Sequence, residues 1–338
     1  MPQLPAVRGP LSAFVVDALT SAPHDLSRPP AVETRDAVTD DDLQLALYCC
    51  YELHYRGFDD VDERWEWAPS LLAFRATLET VFEAALVAVV GEPDERVPPA
   101  EMDVALRAIA DADDAPPVSR FIERHATLAQ VHEFLAHRSV YQLKEADPHT
   151  FALPRLSGPP KAAMVEIQSD EYGGGRPDRM HAVLFAKTLE HAGLDARYGA
   201  YLDHVPGVTL ATVNLMSLLA LHRRWRGAIT GHLALFEMTS SVPNGRYARG
   251  LRRLGLPDEA IDFFNEHVIA DAVHENIAAV DLAGGLAEHD PAVAADVLWG
   301  ARALVAVEAR AARHMMDAWE AGRSSLRQPL PGGVALSR

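Results

Sequence analysis

The segment His267-Val-Ile-Ala-Asp271-Ala-Val-His274 carries the sharpest chemistry in the chain. At 3.6 residues per turn, positions i, i+4 and i+7 stack on one face of a helix. Such a face offers two imidazoles and a carboxylate to one point, a donor set suited to iron, manganese or zinc. Val268, Ile269, Ala270, Ala272 and Val273 separate the polar residues, so the helix is expected to be largely buried. Buried acids and imidazoles need partners. The segment alone leaves two readings open, a metal-binding face and a polar surface face.

Three further segments carry the same residue types. Asp170 and Glu171 close a helix that begins apolar; Tyr172 and three glycines follow, and His181 opens the next helix. A carboxylate and an imidazole can meet across such a break, or Asp170 and Glu171 are solvated and His181 is a helix-end residue. In His232-Leu-Ala-Leu-Phe-Glu237, Glu237 is the one acid between Leu210 and Arg253. A lone acid in an apolar helix is either exposed or held by a cation. Glu145, in Lys144-Glu145-Ala-Asp147-Pro148-His149, closes a long helix before a proline turn, and Lys144 offers it a surface charge pair. Four carboxylates and three imidazoles from separate helices are what two metal ions need when carboxylates bridge them, and helix bundles build such sites. The ferritin-like order is not supported: Glu52-Leu-His54 and Glu133…His137 do not make two Glu-x-x-His pairs.

The elements that must position these residues are helical throughout. Residues 1–38 are proline-rich and are expected to form an extended arm. Helices are expected over 39–54, from Pro69, from Pro98, over 118–144, 161–172, 178–192, 209–221, 227–240, 257–287 and 291–319, with residues 323–338 a mobile tail. No alternating run bounded by hairpin turns occurs, so the fold class is all-α. The division expected is 1–38 arm, 39–115 auxiliary helices, 116–322 bundle and 323–338 tail.

Composition narrows the function. Of 338 residues, 31 are Lys or Arg and 48 are Asp or Glu, a formal net charge of −17. That balance argues against nucleic acid and anionic membrane as partners. The basic run His222-Arg-Arg-Trp-Arg226 is expected to be a helix junction paired with acids. The longest uncharged stretch, Val205–Leu221, falls short of a membrane span. Cys49 and Cys50, the only cysteines, exclude a disulfide scaffold and an all-cysteine zinc site. A cytoplasmic location is expected, with a homodimer through the N-terminal helices compatible with this reading.

Taken in order, Glu145, Glu171, His181, Glu237, His267, Asp271 and His274 resemble the ligand set of the haem-oxygenase-like diiron oxidases and oxygenases, the iron-containing redox enzymes. The segments KEADPH, EIQSDEYGGGRPDRMH, HLALFE and HVIADAVH carry the likeness, and residues 45–79 look like the auxiliary helices of a subset of that family. The resemblance implies a haem-oxygenase-like helical bundle with additional N-terminal helices. It implies two iron ions on those seven residues, no haem, and O2 as co-substrate through a peroxo-diferric species. The substrate implied is a small molecule, an amino acid or amine undergoing N-oxygenation, desaturation or C–C cleavage, with an external electron donor possible. Glu171 and Tyr172 are then the residues nearest the chemistry, and Asp170, Gln168 and Tyr172 the candidates to orient imidazoles. Arg176, Lys161 and Arg155 are the candidate cations for an acidic or amino-acid substrate. Three competing readings are a zinc or manganese dimetal hydrolase, a cofactor-free oxidase on the same fold, and a non-catalytic helical binding protein.

Overall fold

The computed structural model describes residues 1–330, except for the side chains of Asp271 and Ala272. Every regular element among them is helical. The chain opens with α1 (Pro10–Leu19), α2 (Asp41–Glu52), α3 (Pro69–Val90) and α4 (Met102–Asp111). It continues through α5 (Val118–Arg124), α6 (Leu128–Gln142), the short α7 (Asp147–Thr150), α8 (Gly158–Glu171) and α9 (His181–His191). The last group is α10 (Gly207–Leu221), α11 (Arg226–Arg253), α12 (Asp262–Asn276), α13 (Gly285–His289) and α14 (Ala294–Glu320). A π-helical stretch, Ile277–Gly284, joins α12 to α13.

Four expectations need correction. Residues 10–19, expected to be extended, form α1. Pro10 occupies a helix N-terminal position, and Leu11, Val15 and Leu19 are buried. The carboxylate of Asp42 in α2 accepts the Leu11 and Ser12 amides at 2.8 Å, capping α1 from outside its own sequence. The segment 118–144 is two helices rather than one, because Thr127 and Gln130 form a capping box that starts α6 afresh. Helix α11 does not stop at Ser240 but runs through Pro243 to Arg253, held on its flanks by α12 and α14. Residues 331–338 of the expected tail lie outside the described residues, and Ser325 and Leu326 are buried.

Helix α11 is the axis of the bundle and packs on α14, α12 and α5. The α11–α14 crossing is close because Gly231 lies against the Val297 backbone, where any Cβ would clash with the carbonyl. The main apolar core runs without a break from Leu11 in α1 to Leu326 beyond α14. A second cluster joins α5, α6, α9, α11, α12 and α14 around Phe134, Phe185, Phe263 and Trp319.

Two buried polar networks tie distant segments together. Glu52 at the end of α2 pairs with Lys144 at 2.8 Å, and both side chains are at most 1% exposed. The Tyr198 hydroxyl lies 2.8 and 2.7 Å from the two Glu52 oxygens, and the Lys144 ammonium sits over the Tyr55 and Tyr48 rings. Lys144 is therefore no surface partner for Glu145. In α6, Glu133 accepts from Trp319 Nε1 and from the Ser325 amide and hydroxyl at 2.7–2.8 Å. The basic run at 222–226 is a helix junction as expected: His222 lies 3.0 Å from Glu79, Arg224 pairs with Glu83, Arg226 with Asp290, and Trp225 stacks on Trp299.

Candidate metal centre

Six of the seven expected ligands converge, each buried. Glu145, Glu171, His181 and His267 place one donor atom apiece within 4.8 Å of one another, and so do Glu171, Glu237 and His274. Glu171 is common to both groups. The side chain of Asp271 lies outside the described residues.

Local backbone chemistry explains the convergence. Glu145 sits in the turn after α6, where Ala146 adopts the left-handed conformation at φ +74°. A non-glycine residue there is strained, a feature concentrated at functional sites. Gln168 of α8 holds this turn, its Nε2 donating to the Ala146 carbonyl at 2.9 Å. Glu171 is the last residue of α8 and His181 the first of α9. The glycines between them make this possible: Gly173, Gly174 and Gly175 all have φ between +59° and +78°. A Cβ on Gly173 would press on the Arg179–Met180 backbone. Glu237 projects from the middle of α11, and His267 and His274 from α12. Between the α12 histidines, Ile269 and Val273 point outward rather than into a core, 69% and 61% exposed. The helix buries its polar face because that face meets the carboxylates. The π-helical stretch follows directly after α12, as π-turns often do beside functional sites.

The imidazoles are oriented individually. His267 Nδ1 donates to the Phe263 carbonyl at 2.8 Å, which turns Nε2 to Glu145 Oε1 at 3.5 Å. His274 Nε2 lies 3.1 Å from Asp170 Oδ2, and its Nδ1 lies 3.3 Å from Glu237 Oε2. His181 Nδ1 lies 2.9 Å from Glu171 Oε2. His274 Nδ1–Glu237 and His181 Nδ1–Glu171 fall outside hydrogen-bond geometry, so among the described residues the buried Nδ1 atoms of His181 and His274 have no hydrogen bond, nor does Glu145 Oε2. Donor atoms that crowd a point without bonding one another fit a cation between them. Carboxylate oxygens with imidazole nitrogens are the donor set of iron, manganese and zinc.

Electrostatics agree with the geometry. Burial pushes the His274 imidazole down, but the carboxylates of Glu237, Asp170 and Glu171 outweigh it and hold it up to about 9. Burial works against ionisation of Glu171, and its imidazole neighbours, His181 first, bring it below the usual carboxylate range. Next to the cluster, His149 and His232 face each other at 3.2 Å, and burial holds both neutral. The space at the ligand groups is a cavity of about 10 Å³ bordered by Tyr141, Gln168 and Phe236, at the limit of what one water fills.

The other expected site residues lie elsewhere. The Tyr172 hydroxyl donates to Asp147 Oδ1 at 2.8 Å and lies 2.9 Å from Thr150 Oγ1, so it braces the turn after Glu145. Asp170 meets an imidazole, that of His274, whereas Gln168 bonds the Ala146 carbonyl and Thr150 Oγ1 rather than an imidazole. Arg155 donates to the Leu221 carbonyl at 2.8 Å, Arg176 is exposed, and Lys161 is partly exposed on α8. None of the three lines the cavity at the ligand groups. Sequence reasoning did not single out Arg138 and Glu308, which border larger spaces nearby. Their separation along the chain carried no signal.

An all-helical bundle with carboxylates and imidazoles crowded inside it defines a class, that of helical proteins with a buried candidate metal centre. Within that class, the chain belongs to the iron-containing redox enzyme family, whose match covers residues 132–309. Its helices form the haem-oxygenase-like bundle of that family, with additional helices before the matched region. It is also 28% identical over 160 residues to the nitrosourea synthase of Streptomyces achromogenes subsp. streptozoticus, across 47% of this chain and 34% of that protein. The likeness therefore spans about a third of the relative's length. No helix among the described residues is long and apolar enough to cross a membrane.

Proposed function

We propose that the chain is an O2-dependent non-haem diiron enzyme that oxidises a small molecule bearing an amino group, an amino acid or an amine. One observation carries this reading: the Glu171 carboxylate belongs to both buried ligand groups, the arrangement of a bridge between two ions. Glu145, His181 and His267 would hold one ion with Glu171, and Glu237 and His274 the other. Asp271, one turn from His267 on the same helix, is the seventh candidate ligand. Bound iron supplies electrons and open coordination positions for O2.

The chain's own residues do the rest. The Phe263 carbonyl and Asp170 fix the orientation of His267 and His274. Gln168 and Tyr172 hold the turn that carries Glu145. The narrow cavity excludes bulk water. The likeness to a protein named for making a nitrosourea, which contains oxidised nitrogen, supports N-oxygenation as the reaction, with desaturation and C–C cleavage as the other outcomes.

The test is metal and oxygen together. The anaerobic protein is loaded with Fe(II), the iron is counted, and O2 is mixed in while visible absorption is followed. Close to two irons per chain and a transient absorption band are expected. Failure to take up iron would sink the reading. Iron that binds but stays inert to O2, with and without amino acids, would point instead to a dimetal hydrolase.

A further inference from the structure

A cavity of about 300 Å³ opens between α5, α6, α11 and α14, within the size range of small-molecule sites. Phe236 and Ser240 line both this cavity and the narrow space at the ligand groups. The two carboxylate–histidine groups and the cavity are thus neighbours across one turn of α11. Most of the cavity wall is apolar, from Phe134, Leu235, Leu304 and Met315.

Apart from the exposed Asp113, the charged groups on its wall are a single pair. Arg138 of α6 and Glu308 of α14 both line it, with Nη1 and Oε2 3.6 Å apart. That separation is beyond hydrogen-bond length. Each side chain is partly exposed, 27% and 36%, so each can bond a ligand without first being dug out of the core. The same pair borders a smaller cavity of about 30 Å³ that reaches Tyr141. The Tyr141 ring meets Phe236 edge to face at 5.8 Å, so these two rings stand between the ion pair and the ligand groups. The remaining acid at the cavity, Asp113, is exposed and accepts from the Ala115 amide. Tyr247, also on the wall, has its phenol pushed up to about 12 by burial, so it remains a neutral hydroxyl.

A guanidinium and a carboxylate side by side, at one end of an apolar chamber, complement a molecule with an ammonium and a carboxylate on neighbouring atoms and an apolar remainder. We propose that this cavity is the substrate site and takes a zwitterionic α-amino acid with an apolar or aromatic side chain, its carboxylate on Arg138 and its ammonium on Glu308. An amine lacking the carboxylate would leave Arg138 without its share of the contact, and a fatty acid would leave Glu308 against an anion or an alkyl chain. Functionally the inference rests on the oxidation proposed above, but the binding it describes does not require iron.

The experiment is titration calorimetry on the full chain, in metal-free and iron-loaded form, with L-phenylalanine, L-leucine and L-methionine. L-Phenylalaninamide and N-acetyl-L-phenylalanine are the controls lacking one charge. At least one of the three amino acids is expected to bind, with the charge-deleted analogues at least tenfold weaker. Arg138→Met and Glu308→Gln are each expected to weaken binding by a similar factor at unchanged circular dichroism. If none of the three amino acids binds, or if the amide and the acetyl derivative bind as well as phenylalanine, the proposal fails without recourse to any variant. Unchanged binding by both variants overturns it as well. Amino-acid binding without iron uptake would keep this site and remove the oxygenase reading. Iron uptake and O2 reaction without amino-acid binding would do the reverse.

Discussion

Glu171 is the one residue, among the described side chains, that belongs to both candidate ligand groups. Glu171→Ala is expected to abolish iron uptake at both positions, whereas His181→Ala and His274→Ala each cost about one iron per chain. Metal analysis on variants with native circular dichroism checks this, and equal losses in all three would contradict a shared bridge. A second residue-scale prediction concerns pH. His137 is buried between Thr209 Oγ1 and Ser325 Oγ, at 2.7 and 3.0 Å. Burial first, and His314 second, push it down to about 3. An unfolded histidine titrates near 6.5, so the unfolded chain takes up the proton first as pH falls. The stability held by neutral His137 is complete above pH 6.5 and drains away from there toward pH 3. Between pH 6.5 and 5 that amounts to about 2 kcal/mol. Urea unfolding at the two pH values should show His137→Gln with the shallower slope.

Between residues and the whole lie the elements, and here the Glu52–Lys144 pair makes the clearest prediction. Lys144→Met leaves a carboxylate buried at the end of α2 and should cost about 3–5 kcal/mol, whereas Lys144→Met with Glu52→Leu should recover much of the loss. Denaturant midpoints decide it; a double variant as weak as the single one would mean that the pair is not what the site requires. At the α11–α14 crossing, Gly231→Ala should destabilise by about 1–3 kcal/mol or more, since the opposing atoms are backbone and cannot step aside. These elements also show where the sequence was legible. The helix starts at Asp40 and Pro69 are readable because caps and prolines act locally, whereas α4 begins at Met102, four residues after Pro98. The grouping of six of the candidate ligand residues is readable because residue types and spacings survive without coordinates. The unbroken α11 was not, because Pro243 breaks a helix by local rules and only packing on α12 and α14 overrides them. Nor was α1, whose cap comes from Asp42, and Lys144 was misjudged because its partner lies 92 residues away. Arg155, Arg176 and Lys161 are near Glu171 in sequence but do not line the cavity at the ligand groups, because nearness along the chain is a poor guide to nearness across a bundle.

At the scale of the molecule, the core ignores the boundary expected near residue 115, since one apolar cluster joins Leu11, Leu43 and Phe82 to Val297 and Leu326. The N-terminal helices and the bundle are therefore expected to melt in one cooperative transition. A fragment of residues 116–338 should be insoluble or lack native near-ultraviolet circular dichroism. A fragment with a sharp melting transition of its own would show that the bundle is independent. The Glu133 network extends this to time. Its three donors lie at Trp319 and Ser325, 186 and 192 residues beyond the acceptor. Contacts that distant in sequence form late and slow the folding of a chain. Helix α6 cannot settle its buried carboxylate until then, and α6 leads directly into the turn that bears Glu145. Refolding followed by tryptophan fluorescence and by metal uptake should show the capacity for iron arriving with the slowest phase, not with the early helical signal.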